Sequence, residues 1–368
     1  MSPNKTPLAW SIAELLGVVY CFFISIELMG VSFQLFGTGF AEQLIRTTAN
    51  PLVGLFIGLL TTSIIQSSSA TTSMVVALVA GGGIPVANAI PMVLGANIGT
   101  TVTNTLVSLA FITRREEFRR AFACSIVDDF FKILAVTVFI VIEMTTGYLQ
   151  WVSSLMCRLF SGMGLIKISS PLKLITRPVV DLLLDATRHN SILSLVVALA
   201  ILFLSLRTLV SLLKKLVVRR VDRFIHEYLF KSILRALLLG FVLTAVIQSS
   251  SVVLSLIVPL AGAGILTIEQ MFPYAVGASM GTPVTAIMAS LVTGNPAAIT
   301  IAFVHLNFNI SGALLFLPFK PLRRIPIYCS NWIAEVATNA RRYAIIYIII
   351  IFYIVPISIV LLWRWLSV

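Results

Sequence analysis

GLLTTSIIQSSS, residues 58–69, and GFVLTAVIQSSS, residues 240–251, are two copies of one segment, set 182 residues apart from Gln66 to Gln248. The same offset carries Pro91 onto Pro273, Gly95 onto Gly277, Gly99 onto Gly281, Thr100 onto Thr282 and Thr103 onto Thr285. GANIGTTVTN (95–104) thereby aligns with GASMGTPVTA (277–286) without a gap. A single QSSS would carry little weight. Two of them, each followed 29 residues after the glutamine by GAxxGTxVT, mark an internal duplication.

Each copy is unusual as membrane helix. From Thr61 to Ser73, ten of 13 residues carry a hydroxyl or an amide, between apolar flanks. A second polar island follows at Asn97, Thr100, Thr101, Thr103 and Asn104. Isolated serines and threonines hide in a helix by bonding the preceding turn, but clusters at membrane depth belong against protein or a wet cavity. The spacing predicts that each QSSS breaks a hairpin which enters and leaves the membrane on one side. Gly81-Gly82-Gly83 and Gly262-Ala263-Gly264 supply the exit turns, before Pro85 and Thr267, and each GAxxGT is an interrupted spanning helix.

Composition places these segments in lipid. Of 368 residues, 58% are apolar and 11% charged, too few polar groups to cover a soluble core of this size. Apolar runs long enough to cross recur, as in Ile12 to Phe36 and Tyr343 to Trp363. Ile192 to Leu206 needs Leu209 and Val210 to complete a span, and Ile133 to Thr145 must draw in the polar stretch Asp128 to Lys132. The first run is too long for the core of a signal peptide and reads as the first span. The net charge of +12 is distributed in short basic stretches between apolar runs, which sets it apart from a nucleic-acid footprint. Cys21, Cys124, Cys157 and Cys329 form no CxxC, and His189, His226 and His305 lie far apart, so no transition-metal site is expected. No cofactor is expected either.

Charge bias predicts cytoplasmic loops at 113–120 (TRREEFRR), at 207–235 with eight Lys/Arg, and at 320–342 with five. With the N-terminus cytoplasmic, parity puts all three on one side, makes the hairpins enter from opposite faces, and leaves the C-terminus outside. The expected fold is an all-α polytopic membrane protein with two inverted-topology repeats, each with a re-entrant helical hairpin and an interrupted transmembrane helix. Its expected parts are residues 1–50 (first transmembrane helix and outer loop), 51–149 (repeat 1), 150–232 (outer amphipathic segment, span and basic cytoplasmic loop), 233–318 (repeat 2) and 319–368 (basic loop and last span). Residues 150–190, with five Lys/Arg on the outer side, depart from the charge rule and suit an interfacial amphipathic helix.

Two sets of serine hydroxyls and freed backbone N–H groups, meeting near the midplane, form a donor-rich cup for an oxyanion. No Lys or Arg lies within either QSSS or GAxxGT segment. A multiply charged anion there needs a counter-charge, which sodium held by hydroxyl, amide and carbonyl oxygens would supply.

The paired QSSS motifs, GANIGTTVTN (95–104), EFRRAF (117–122) and HLNFNISG (305–312) resemble the type II sodium-phosphate cotransporters over about Phe22 to Ile357. The resemblance implies sodium-coupled symport of inorganic phosphate across a plasma membrane, or the inner membrane of a bacterium. It implies phosphate binding by Gln66, Ser67, Ser68, Ser69, Gln248, Ser249, Ser250 and Ser251. It also implies a sodium site of Gln66, Thr282 and Thr285, with Asn97, Thr100 and Ser279 as neighbours. This sequence departs from the family in two places. Asp128 and Lys132 stand where HDFFN has its His and Asn, and Ser279 stands where GSNIGT has its Asn.

Other readings stay open at several residues. Gly95/Gly99 and Gly277/Gly281 fit a close packing face as well as an ion-site break. Glu27 could ligate a cation or pair with a neighbour, and Asp128, Asp129 and Lys132 could pair internally or serve transport. His305 is expected to be a hydrogen-bonded structural group. An intramembrane serine hydrolase would need a base beside the serine, and neither motif contains one, so the chain is not expected to be an enzyme. An anion channel, or a sodium- or proton-coupled carrier of another oxyanion such as sulfate, are the remaining alternatives.

Overall fold

The computed structural model describes residues 8–162, 169–228 and 232–366, and among them there is helix but no strand. The chain is an all-α polytopic membrane protein. Among the described residues, five helical segments are long and apolar enough to cross a bilayer: Ile12–Leu35, Ser191–Leu213, Ile268–Thr293, Pro296–Phe316 and Arg342–Leu366.

The first half opens with α1 (Leu8–Leu35), then α2 (Gly37–Thr48) and α3 (Pro51–Ile65), which meet at a bend of 103°. Residues 37–50, expected as a loop, thus form a short amphipathic helix. Asn50 then starts α3 by accepting from Leu52 N and Val53 N, with Pro51 behind it. α4 (Ser68–Ala80) returns from the break at Gln66, and the turn at its end uses Gly82 at φ +74°. Pro85 opens α5 (Val86–Gly99), and Thr100 and Thr101 interrupt it before α6 (Val102–Ser108).

α7 (Arg115–Thr146) contains Asp128, Asp129 and Lys132 in mid-helix, all buried, so the polar stretch and the short apolar run after it belong to one helix. At 32 residues it is about 48 Å long, more than a bilayer's hydrocarbon thickness. α8 (Tyr148–Gly162) and α9 (Ser169–Ala186) follow.

The second half repeats this order. α10 (Ser191–Tyr228) lies alongside α1, with which it shares the 182-residue offset. α11 (Ile233–Ile247) leads to the second break, and α12 (Ser250–Ser255) and α13 (Val258–Gly262) return to a turn with Gly264 at φ +76°. Thr267 caps α14 (Ile268–Gly281) through a reciprocal bond with Gln270, and Thr282 interrupts it before α15 (Pro283–Thr293). α16 (Pro296–Phe316), α17 (Lys320–Asn339), α18 (Arg342–Ile349) and α19 (Val355–Leu366) complete the chain.

The basic stretches differ from expectation in form. α10 runs helical to Tyr228 through most of 207–235, α17 occupies most of 320–342, and α7 begins at Arg115. Lys and Arg are good helix formers, so a charge bias reports which side a segment faces and not that it is irregular.

Small residues set how closely these helices pack. A Cβ on Gly95 would collide with the carbonyl of Leu55, and one on Gly277 with that of Leu237. α3 therefore lies backbone to backbone on α5, and α11 on α14. The halves also interlock: α8 packs on α16 of the other half, and α17 on α7.

Candidate functional site

The two breaks have the same backbone. Gln66 ends α3 at φ 57°, ψ 30°, and Gln248 ends α11 at φ 58°, ψ 27°. This left-handed conformation is uncommon outside glycine. Each glutamine N–H is held 2.6 Å from a threonine carbonyl four residues back, Thr62 for Gln66 and Thr244 for Gln248. The next serine is extended in both, Ser67 at φ −148°, ψ 103° and Ser249 at φ −150°, ψ 104°. Ser67 Oγ accepts from Ala70 N at 3.2 Å, and Ser249 Oγ from Val252 N at 3.4 Å. In both breaks a left-handed glutamine ends one helix and the serine after it caps the next.

The breaks meet. One cavity of about 310 Å³ is lined by Gln66, Ser67, Ser68 and Ser69 together with Gln248, Ser249, Ser250 and Ser251. Thr100 and the α10 residues Phe203, Leu206, Arg207 and Val210 complete much of its wall. All eight residues expected to bind the anion therefore share one chamber. Ser68, Ser69, Ser250 and Ser251, at the starts of α4 and α12, line it, and the first N–H groups of a helix lack intrahelical carbonyl partners and suit an anion.

The residues expected at a sodium site divide into two groups. Thr100 lines the cavity and bonds Ala96 O at 3.2 Å. Thr285 Oγ donates to Gln248 Oε1 at 3.4 Å, so its hydroxyl is bonded to the glutamine of its own half and not to Gln66. Thr282 bonds Ala278 O of its own helix at 3.2 Å. Of the expected set only Gln66 and Thr100 line the cavity; Thr282, Thr285, Asn97 and Ser279 do not. Asn97 Nδ2 donates to Asn309 Oδ1 at 3.1 Å, and Ser279 Oγ to Asp128 Oδ1 at 3.3 Å.

A buried polar cluster lies behind the interrupted helices. Lys132 Nζ is 2.8 Å from Asp128 Oδ2, each side chain 2% exposed. Asp129 accepts from Tyr347 at 2.9 Å and from Thr105 at 3.4 Å. The three departures from the family pattern, at Asp128, Lys132 and Ser279, thus form one bonded set. His305 differs from expectation: it is buried, and neither ring nitrogen has a hydrogen-bond partner among the described residues. The amide four residues on, Asn309 Nδ2, bonds the His305 carbonyl and leaves the ring alone. Glu27 accepts a hydrogen bond from Thr176 of α9.

Sequence reasoning missed Arg207. It interrupts the apolar run 192–210, and its signal was that single charge; counting it with the basic stretch that begins there hid it.

α1 and α10 meet the chamber differently, although the offset relates them. Phe22, Ile24, Ser25, Ile26, Leu28 and Met29 of α1 are buried, and α1 packs on α4 and α15. On α10, Phe203 and Arg207 are exposed and face the cavity.

Residues 21–211 and 201–325 match the sequence profile of a family described as Na+/Pi-cotransporter. The sodium-dependent phosphate transport protein 2B of Homo sapiens is 31% identical over 442 aligned positions, covering 94% of this chain and 64% of the relative. The protein of the same name from Pongo abelii gives the same figures. The sodium-dependent phosphate transport protein 2A of Rattus norvegicus is 31% identical over 420 positions, 93% of this chain and 66% of the relative. The chain thus spans just under two thirds of the length of these relatives. No solved structure matches it.

Proposed function

Because the chain belongs to the Na+/Pi-cotransporter family, which is one of transporters and not of enzymes, we propose that it is a sodium-coupled symporter of inorganic phosphate in the plasma membrane. The single observation that carries this reading is the chamber in which both QSSS breaks converge.

Phosphate is held there by serine hydroxyls, the Gln66 and Gln248 amides and the open N–H groups of α4 and α12. Sodium binds through hydroxyl and amide oxygens near Thr100, Thr282 and Thr285, with Asn97 and Ser279 supporting from behind. A cation beside a buried anion lowers the cost of each, so the two bind cooperatively, and that cooperativity is the coupling. Transport proceeds by alternating access, with the hairpins entering from opposite faces and the N-terminus cytoplasmic. The duplicated break geometry and the unequal surroundings of α1 and α10 support this.

The test is uptake of labelled inorganic phosphate by proteoliposomes, with sodium or potassium outside. Uptake requires inward sodium, and Ser67→Ala and Ser249→Ala each lower it. Equal uptake in potassium removes the symport reading, and wild-type rates in both serine variants remove the site.

A further inference from the structure

The chamber described above has many donors but, from its two motifs, no full positive charge. Arg207 supplies one. It lines the same cavity as the two breaks, along with Phe203, Leu206 and Val210 of its own helix. Its side chain is exposed, and no ion pair to it is found among the described residues. Salt bridges among the described residues join Arg114 to Glu117, Arg119 to Glu116, Lys132 to Asp128, Arg177 to Asp181 and His189 to Asp185, and none of these includes Arg207.

The duplication shows that the fold does not demand this charge. The offset relates Arg207 to Ser25 of α1, which is buried and bonds the Phe22 carbonyl at 2.6 Å. An arginine at one of two equivalent positions, on the one facing the cavity, is a property of the chamber. A guanidinium presents a planar fork of donors that matches a tetrahedral oxyanion at two oxygens, and apolar neighbours strengthen the attraction by excluding water. The competing account is an arginine that merely reaches for lipid headgroups at the end of a span. That account predicts no effect on phosphate affinity.

We propose that Arg207 is a phosphate-binding residue, whose guanidinium provides the fixed positive charge that the two serine cups lack. The inference rests on the phosphate reading above. It assigns the chamber a preference for the dianion, because a fixed charge favours the more highly charged form of the substrate.

Binding of inorganic phosphate to the purified full-length protein in sodium is measured by calorimetry and by thermal stabilisation, beside proteoliposome uptake, for wild type, Arg207→Gln and Arg207→Lys. Losing one charge-assisted contact weakens phosphate binding at about pH 8 by about tenfold. The loss is smaller at about pH 6, where the monoanion dominates, and Arg207→Lys recovers part of it. The sodium concentration for half-maximal uptake changes less than that for phosphate. Wild-type phosphate affinity and pH profile in Arg207→Gln overturn the proposal. A wild type that binds phosphate but takes it up equally in potassium overturns the symport reading alone, and leaves Arg207 decided by the binding data. A wild type that binds no phosphate overturns both.

Discussion

Replacing Lys132 by Met tests the buried ion pair of α7. Methionine keeps an unbranched side chain of similar length, so packing is largely preserved and the charge is lost. In the native chain Lys132 Nζ and Asp128 Oδ2 are 2.8 Å apart and both side chains are 2% exposed. At an effective dielectric of about 20, two unit charges at that distance attract by about 6 kcal/mol. The variant leaves the Asp128 carboxylate with the Ser279 hydroxyl at 3.3 Å as its bonded partner. Breaking a buried pair from one side costs about 3–5 kcal/mol, which for a chain of this kind lowers the apparent melting temperature by on the order of 10 °C. The assay is the temperature at which the detergent-solubilised protein loses its monodisperse size-exclusion peak. Adding Asp128→Asn removes the stranded charge and keeps an acceptor for Ser279, and the double variant regains more than half of the loss. A single variant within about 1 °C of wild type would refute this reasoning. So would a double variant no more stable than the single.

Gly95→Ala and Gly277→Ala drive a methyl into the Leu55 and Leu237 carbonyls, an overpacking cost of about 1–3 kcal/mol each, seen as reduced yield of monodisperse protein. Gln66→Gly removes the strain of a left-handed side-chain residue, so it leaves the melting temperature unchanged or raises it while phosphate uptake falls; Gln66→Val lowers both. Arg120 Nε donates to the Gly262 carbonyl at 3.2 Å, so Arg120→Ala speeds hydrogen exchange in the turn after α13, and unchanged exchange there counts against that anchor.

The breaks at Gln66 and Gln248 could be read from sequence because a cluster of hydroxyls at membrane depth has few places to go. The turns at Gly82 and Gly264 were legible because glycine adopts positive φ without cost. α2, and the helical form of the basic stretches, were not. Charge patterning encodes the side of the membrane, and a polar helix lying at an interface has the composition of a loop. The pairing of Asp128 with Lys132, one turn apart on a helix, was open to reading, but the place of Ser279 beside them was visible only as a separate departure from a family pattern. The three come from α7 and α14, and a partnership across 151 residues of sequence leaves no local mark. Arg207 was obscured in a similar way, since a lone cation beside a basic run looks like its first member until tertiary structure shows what faces it.

The equality of the two breaks has a consequence for how motion is divided in this molecule. Their torsions agree to within a few degrees although Ser25 of α1 is buried and its counterpart Arg207 of α10 is exposed. A rearrangement that traded the surroundings of α1 and α10 could therefore carry both tips along as rigid bodies, with no bond rotated in either. The energetic distance between two such forms would then be set by side chains on two long rods, and a single changed residue on α10 would tilt the balance between them.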